Sequence, residues 1–98
     1  MPDVIWLPEA IDDLERLRAF LMDKHPYAAR QAAQVILKGA NRLSDFPEIG
    51  PPMNDGSGRR ELFEAFGRGG YVLRYRIDGD RVVIVRVWHA KEQRDEMP

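Results

Sequence analysis

No cysteine occurs in the chain, so neither a disulfide framework nor a thiolate metal site is available to it. That absence suits a reducing compartment, and a cytoplasmic location is expected. Histidine is almost as scarce: His25 and His89 are the two present, and neither has a second ligand at helical spacing, so no metal and no cofactor are expected. No apolar run approaches the ~20 residues of a membrane span. The segment Met1 to Trp6 lacks the basic and apolar regions of a secretory signal, so neither export nor membrane insertion is expected. A serine-centred elbow, a Walker loop and a dinucleotide fingerprint are all missing. Gly67-Arg68-Gly69-Gly70 is glycine-rich but reads as a connection between strands. These absences set aside hydrolase, kinase and dehydrogenase chemistry.

What is present has the balance of an ordinary globular domain, with 98 residues, 44% hydrophobic and 32% charged. One domain over residues 1–98, with its own core, is expected. The formal net charge of −1 hides an uneven distribution, since Arg59 to Arg94 holds nine cations against five acids. Twelve of the fifteen cations are arginine, the side chain suited to bidentate contact with carboxylate or phosphate.

Periodicity divides the chain into six elements. Val4 to Leu7 reads as a short strand stopped by Pro8, which can open a helix because the first helical position needs no amide donor. Glu9, Asp12 and Asp13 then place negative charge in the first turns, and Asp12, Asp13 and Glu15 read as an exposed acidic face. Ala10, Ile11, Leu14, Leu17 and Leu21 form one apolar stripe. A second helix is expected after Pro26, with the stripe Ala28, Ala32, Val35, Ile36, Ala40 and Leu43; within it Gly39 allows close approach of a neighbour. His25 falls in the turn between the helices and reads as structural. Phe46-Pro47-Glu48-Ile49-Gly50-Pro51-Pro52 ends this helix, and Met53 to Gly58 reads as an exposed loop. Strands follow at Arg60 to Phe66, Tyr71 to Ile77 and Val82 to Trp88, the last two joined by the turn Asp78-Gly79-Asp80. The expected fold is α+β, in the order β-α-α-β-β-β, a helical hairpin packed on an antiparallel sheet.

Simple alternation along the last strand assigns Val83, Val85 and Val87 to the core. It leaves Val82, Ile84, Arg86 and Trp88 on a less buried side. With Tyr71, Leu73, Tyr75 and Ile77 facing the helices, Arg74 and Arg76 would join Arg86 and Trp88 on a basic outer face suited to an acidic or nucleic-acid partner. The strand then runs into His89, Lys91 and Arg94. An imidazole beside cations can serve as a general base, and with Arg74 these residues contain the inventory for RNA cleavage by 2′-hydroxyl attack. The same residues read equally as contacts to a protein target.

Several segments, taken in order, resemble the RelE/ParE superfamily, toxins of bacterial type II toxin-antitoxin modules. They are Trp6-Leu7-Pro8-Glu9-Ala10 with Asp13-Leu14, Phe46 to Gly50, Gly70 to Ile77, and Val85 to Lys91. The resemblance implies a toxin that a cognate antitoxin neutralises, in a plasmid-stabilisation or similar module. RelE-like members cleave mRNA on the ribosome, whereas ParE-like members bind DNA gyrase. RelE-like enzymes carry an arginine directly after Gly-Tyr and a tyrosine near the C-terminus. Here Val72 follows Gly70-Tyr71, and Asp95 to Pro98 holds no tyrosine. The expectation is therefore a ParE-like, non-enzymatic gyrase-binding toxin, with mRNA endonuclease and non-toxic interaction module as the alternatives. Target contacts are expected at Arg74, Arg76, Arg86, Trp88, His89, Lys91 and Arg94. The antitoxin is expected against Leu14, Leu17, Leu21, Val35 and Ile36 of the hairpin and an open sheet edge. The same apolar surface would serve any homo-oligomer.

Overall fold

Proline opens both helices of the computed structural model, which describes residues 3–92. The elements are β1 (Asp3–Trp6), α1 (Pro8–Met22), α2 (Pro26–Asp45), β2 (Arg60–Phe66), β3 (Gly69–Asp78) and β4 (Arg81–His89). Neither Leu7 nor His25 supplies a side-chain cap. The prolines lower the need for one, because each removes an amide that would otherwise lack a partner. No helix among the described residues is long and apolar enough to cross a membrane.

The strands form one sheet in the order β1-β4-β3-β2. The meander β2-β3-β4 is antiparallel, as its hairpin signals require. Gly67 and Gly79 sit in its two turns at positive φ, a conformation that costs glycine little. β1 then lies parallel to β4, so the complete sheet is mixed. A parallel neighbour needs a long crossover, and the helical hairpin with the two antiparallel strands after it provides the connection.

Strict alternation fails in β4. Arg74 pairs with Arg86, yet the next residue, Tyr75, pairs with Ile84, so Val85 is an extra residue without a partner of its own. A bulge of this kind shifts the side-chain parity by one. Before it, Val82 and Ile84 face the helices; after it, Val87 does, and all three belong to the central core. The assignment of Val82 and Ile84 to an outer side is therefore corrected, and that of Val87 holds. Trp88 is fully buried, at 0% exposure, rather than on a partly open side.

The core forms where the two helical stripes meet the sheet. Leu17, Ala32, Ile36, Ala40 and Leu43 pack on Leu62, Tyr71, Leu73, Tyr75 and the β4 residues, with Leu14 and Leu21 at the margin. Gly39 is buried where α2 meets β2: a Cβ there would lie 2.7 Å from Cγ of Glu64. Glu64 in turn holds Arg42 at 2.6 Å.

The loop after α2 is strapped to the sheet. The Tyr75 hydroxyl donates to the carbonyl of Pro47 (2.6 Å) and accepts the Gly50 amide (3.0 Å). Arg60 donates to the carbonyls of Glu48 and Gly50. A Cβ on Gly50 would come within 2.9 Å of both Tyr75 and the Glu61 carbonyl, so the strap closes over a position that only glycine fits.

Candidate functional site

β1 stops at Trp6 opposite Ile84, and Leu7 makes the last backbone bond to that carbonyl. The outer edge of β4 beyond this point would expose backbone amides, a liability for an edge strand. Carboxylates cover them. Asp13 of α1 accepts the Val87 amide at 2.9 Å and two guanidinium bonds from Arg86, at 2.7 and 2.9 Å. Glu92 accepts the His89 amide at 2.7 Å. Arg16 spans the pair, 2.5 Å from Glu92 and 3.5 Å from Asp13. Asp13 is 3% exposed, which corrects its placement on an exposed acidic face. Burial pushes its pKa up, but the bonds from Arg86 and Val87 outweigh burial and hold it below the ordinary carboxylate value.

The bulge that turns Val87 toward the helices turns His89 the same way. His89 lies edge-on to Tyr71, 5.3 Å between ring centroids, and Tyr71 meets Phe66 at 5.9 Å. A Cβ on Gly69 would press on the imidazole at 3.1 Å, so Gly69 leaves the ring its space. His89 Nδ1 accepts the Lys91 amide at 3.1 Å. In a neutral imidazole that bond leaves the proton on Nε2, which makes this nitrogen a donor rather than a proton acceptor.

These residues edge a groove of about 700 Å³ between the second half of α1 and the β2–β3 turn. Leu17, Phe20, Leu21, Phe66 and Tyr71 give it apolar walls, and Arg16, Arg68, Lys91, His89 and Glu92 rim it. Phe20 is 63% exposed, with the Lys24 ammonium 4.2 Å above its ring.

The opposite sheet face differs from the open basic surface expected. Arg74 is buried, donates twice to Glu61 (3.1 and 2.8 Å) and lies 4.8 Å from the Trp88 ring centre. Arg86 is committed to Asp13. Arg76 is exposed, as the expectation required. Arg74 is thus separated from His89 by the sheet itself, and the set His89, Lys91, Arg94 and Arg74 does not converge: His89 and Lys91 share the groove, and Arg94 lies outside the described residues.

The hairpin residues expected to receive an antitoxin are also placed differently. Leu17 and Ile36 are core residues, and Leu14, Leu21 and Val35 are partly buried. Of these, Leu17 and Leu21 still reach the groove wall. Phe20, which the stripe did not include, is the more accessible anchor; its exposure one position before Leu21 is a signal that periodicity discards. No group of three or more His, Cys, Asp or Glu among the described residues could hold a metal ion.

A family model described as the ParE toxin of type II toxin-antitoxin systems matches residues 4–94. Toxin RelE3 of Caulobacter vibrioides is 40% identical over 87 residues, 89% of this chain and 92% of that protein. Toxin RelE1 of the same organism is 34% identical over 82 residues, covering 84% and 86%. Among solved structures, a chain of the chromosomal ParDE system from P. aeruginosa superposes with a TM-score of 0.75 at 20% identity, covering 93% of this chain and 98% of that one. At that identity the likeness is one of fold. A chain of the RelBE2 toxin-antitoxin complex from Mycobacterium tuberculosis gives 0.62 at 27% identity, covering 91% and 99%.

Proposed function

Since the chain belongs to the ParE toxin family of type II toxin-antitoxin systems, within the RelE/ParE superfamily, we propose that it arrests growth in the cytoplasm by binding DNA gyrase and is neutralised by a cognate antitoxin. The observation that carries this reading is the separation of the cleavage inventory. Arg74 lies across the sheet from His89 and is held by Glu61, Arg86 is held by Asp13, and Nδ1 of His89 is taken up by the Lys91 amide. Phosphodiester cleavage needs a base and charge-stabilising donors around one reacting atom. A binding toxin needs only a rigid surface.

On this reading the groove receives the antitoxin. A disordered, acidic, amphipathic segment would lay apolar side chains on Phe20, Leu21, Phe66 and Tyr71 and carboxylates near Arg68 and Lys91. Of the expected target contacts among the described residues, Arg76 and Lys91 are the exposed cations, while Arg74, Arg86 and Trp88 are buried or paired within the sheet.

The second reading, ribosome-dependent mRNA cleavage, draws on the RelE names of the relatives and on the presence of His89, Lys91, Arg68 and Arg16 around one groove. Expression of His89→Gln separates the two. Gyrase binding predicts growth arrest close to that of the parent, relieved by the co-expressed neighbouring antitoxin. Abolished arrest in the folded variant, together with lost mRNA cuts, establishes the nuclease instead.

A further inference from the structure

The end of the molecule opposite the groove carries a second depression that the toxin reading leaves unused. It is bounded by Asp45, Phe46, Pro47, Glu48 and Ile49 at the end of α2 and by Ile77 and Gly79 of the β3–β4 hairpin, and encloses about 620 Å³. The ten residues of β3 separate it from the groove, roughly 30 Å at the rise of an extended strand. Three large apolar side chains converge on it while exposed: Phe46 at 62%, Ile49 at 39% and Ile77 at 37%.

Looseness does not explain that exposure. The Tyr75 hydroxyl holds the Pro47 carbonyl and the Gly50 amide, and Arg60 holds the Glu48 and Gly50 carbonyls. The loop backbone is pinned while its apolar side chains face solvent, so a partner would meet a surface ordered in advance. The charged groups lining the depression are Asp45 and Glu48, both exposed. Asp80, also exposed, follows Gly79 in the hairpin, while Asp78 alternates to the far sheet face and stands opposite Arg81. The nearest arginine on the loop side, Arg60, is turned inward to the carbonyls, and Arg76 alternates to the other sheet face. The groove has the opposite rim, with Arg16, Arg68 and Lys91.

We propose that this depression is a second docking seat, for a cationic segment of a partner protein that anchors one or two apolar side chains between Phe46, Ile49 and Ile77. Like charge across such a contact is strongly unfavourable and opposite charge favours encounter, so an acidic segment suited to the groove is excluded here. The two ends therefore take segments of opposite charge, which lets two partners, or two regions of one partner, bind at once.

The test uses the full-length protein with its isoleucine methyl groups labelled for NMR. Ile49 and Ile77 report on the seat, while Ile5, Ile11, Ile36 and Ile84 serve as controls. The probes are a synthetic amphipathic peptide of lysine, leucine and phenylalanine and its counterpart with glutamate for lysine. The lysine peptide should shift the Ile49 and Ile77 methyls saturably and bind roughly tenfold or more tightly than the glutamate peptide. In Asp45→Lys/Glu48→Lys, whose unchanged control methyls would verify the fold, the preference should reverse. Equal binding of both peptides, shifts that spare Ile49 and Ile77, or a preference unchanged by the double substitution would overturn the proposal.

Discussion

Three donors converge on the Asp13 carboxylate from a strand that α1 meets only through the fold. Removing that carboxylate strands both the Arg86 guanidinium and the Val87 amide. Asp13→Ala should therefore destabilise the protein by about 3 kcal/mol, measured by denaturant unfolding; a loss no larger than that of an exposed ion pair would refute the role. The pH dependence has a definite sign. The folded-state pKa of Asp13 is depressed, so its contribution is complete above the unfolded value of about 3.9 and is lost as pH falls from there through the lower folded value. The parent should lose stability across that acidic window more steeply than Asp13→Asn. Parallel curves would contradict the assignment. At the other end, Tyr75→Phe removes the one oxygen that ties Pro47 and Gly50 to the sheet, at a cost of about 1–3 kcal/mol. Unchanged unfolding in that variant would show that the loop holds itself. None of these pairings was legible in the sequence. An acid on a helix reads as solvated, and the partner of Asp13 lies 73 residues away.

Between residue and fold stands the bulge at Val85, which sets the direction of everything after it. The elements themselves were legible: prolines marked both helix starts, glycines marked the hairpins, and the stripe of α2 marked its buried face. The faces of β4 were not, because one inserted residue reverses the parity and a run of valines gives no sign of where that happens. Deleting Val85 would remove the bulge and make Ile84 and Arg86 consecutive, so regular alternation keeps Arg86 opposite Arg74 and leaves Val87 and His89 on the helix face. The expected result is a cooperative thermal transition with the pairing of β4 retained, and loss of that transition would mean that the bulged residue is itself required for the fold. The groove that the bulge completes was legible only in part, since Leu17 and Leu21 were recognised but Phe20 was not. Phe20 is largely exposed, so Phe20→Ser should change stability by less than about 0.5 kcal/mol while weakening antitoxin binding roughly tenfold or more. Calorimetric titration with the antitoxin encoded alongside checks this, and unaltered affinity would move the antitoxin off the groove.

Taken whole, the molecule presents two apolar depressions of opposite rim charge at the two ends of one sheet, with its best-buried arginines spent on internal carboxylates. The near-neutral total charge comes from 15 cations against 16 acids, which the fold distributes between that internal pairing and the two ends. Family membership follows from residues 4–94; the proposed target rests on where the cations point. The relatives are named RelE, while the separation of Arg74 from His89 supports the proposal of a binding toxin. The most direct measurement is the rate of DNA supercoiling by purified gyrase as this protein is added, with and without its antitoxin. Inhibition that rises to near completion as the toxin approaches gyrase in amount, persists in His89→Gln and is reversed by the antitoxin is the predicted result. Unimpeded supercoiling by gyrase, alongside codon-positioned cuts in mRNA from a translating extract given the same protein, would contradict it.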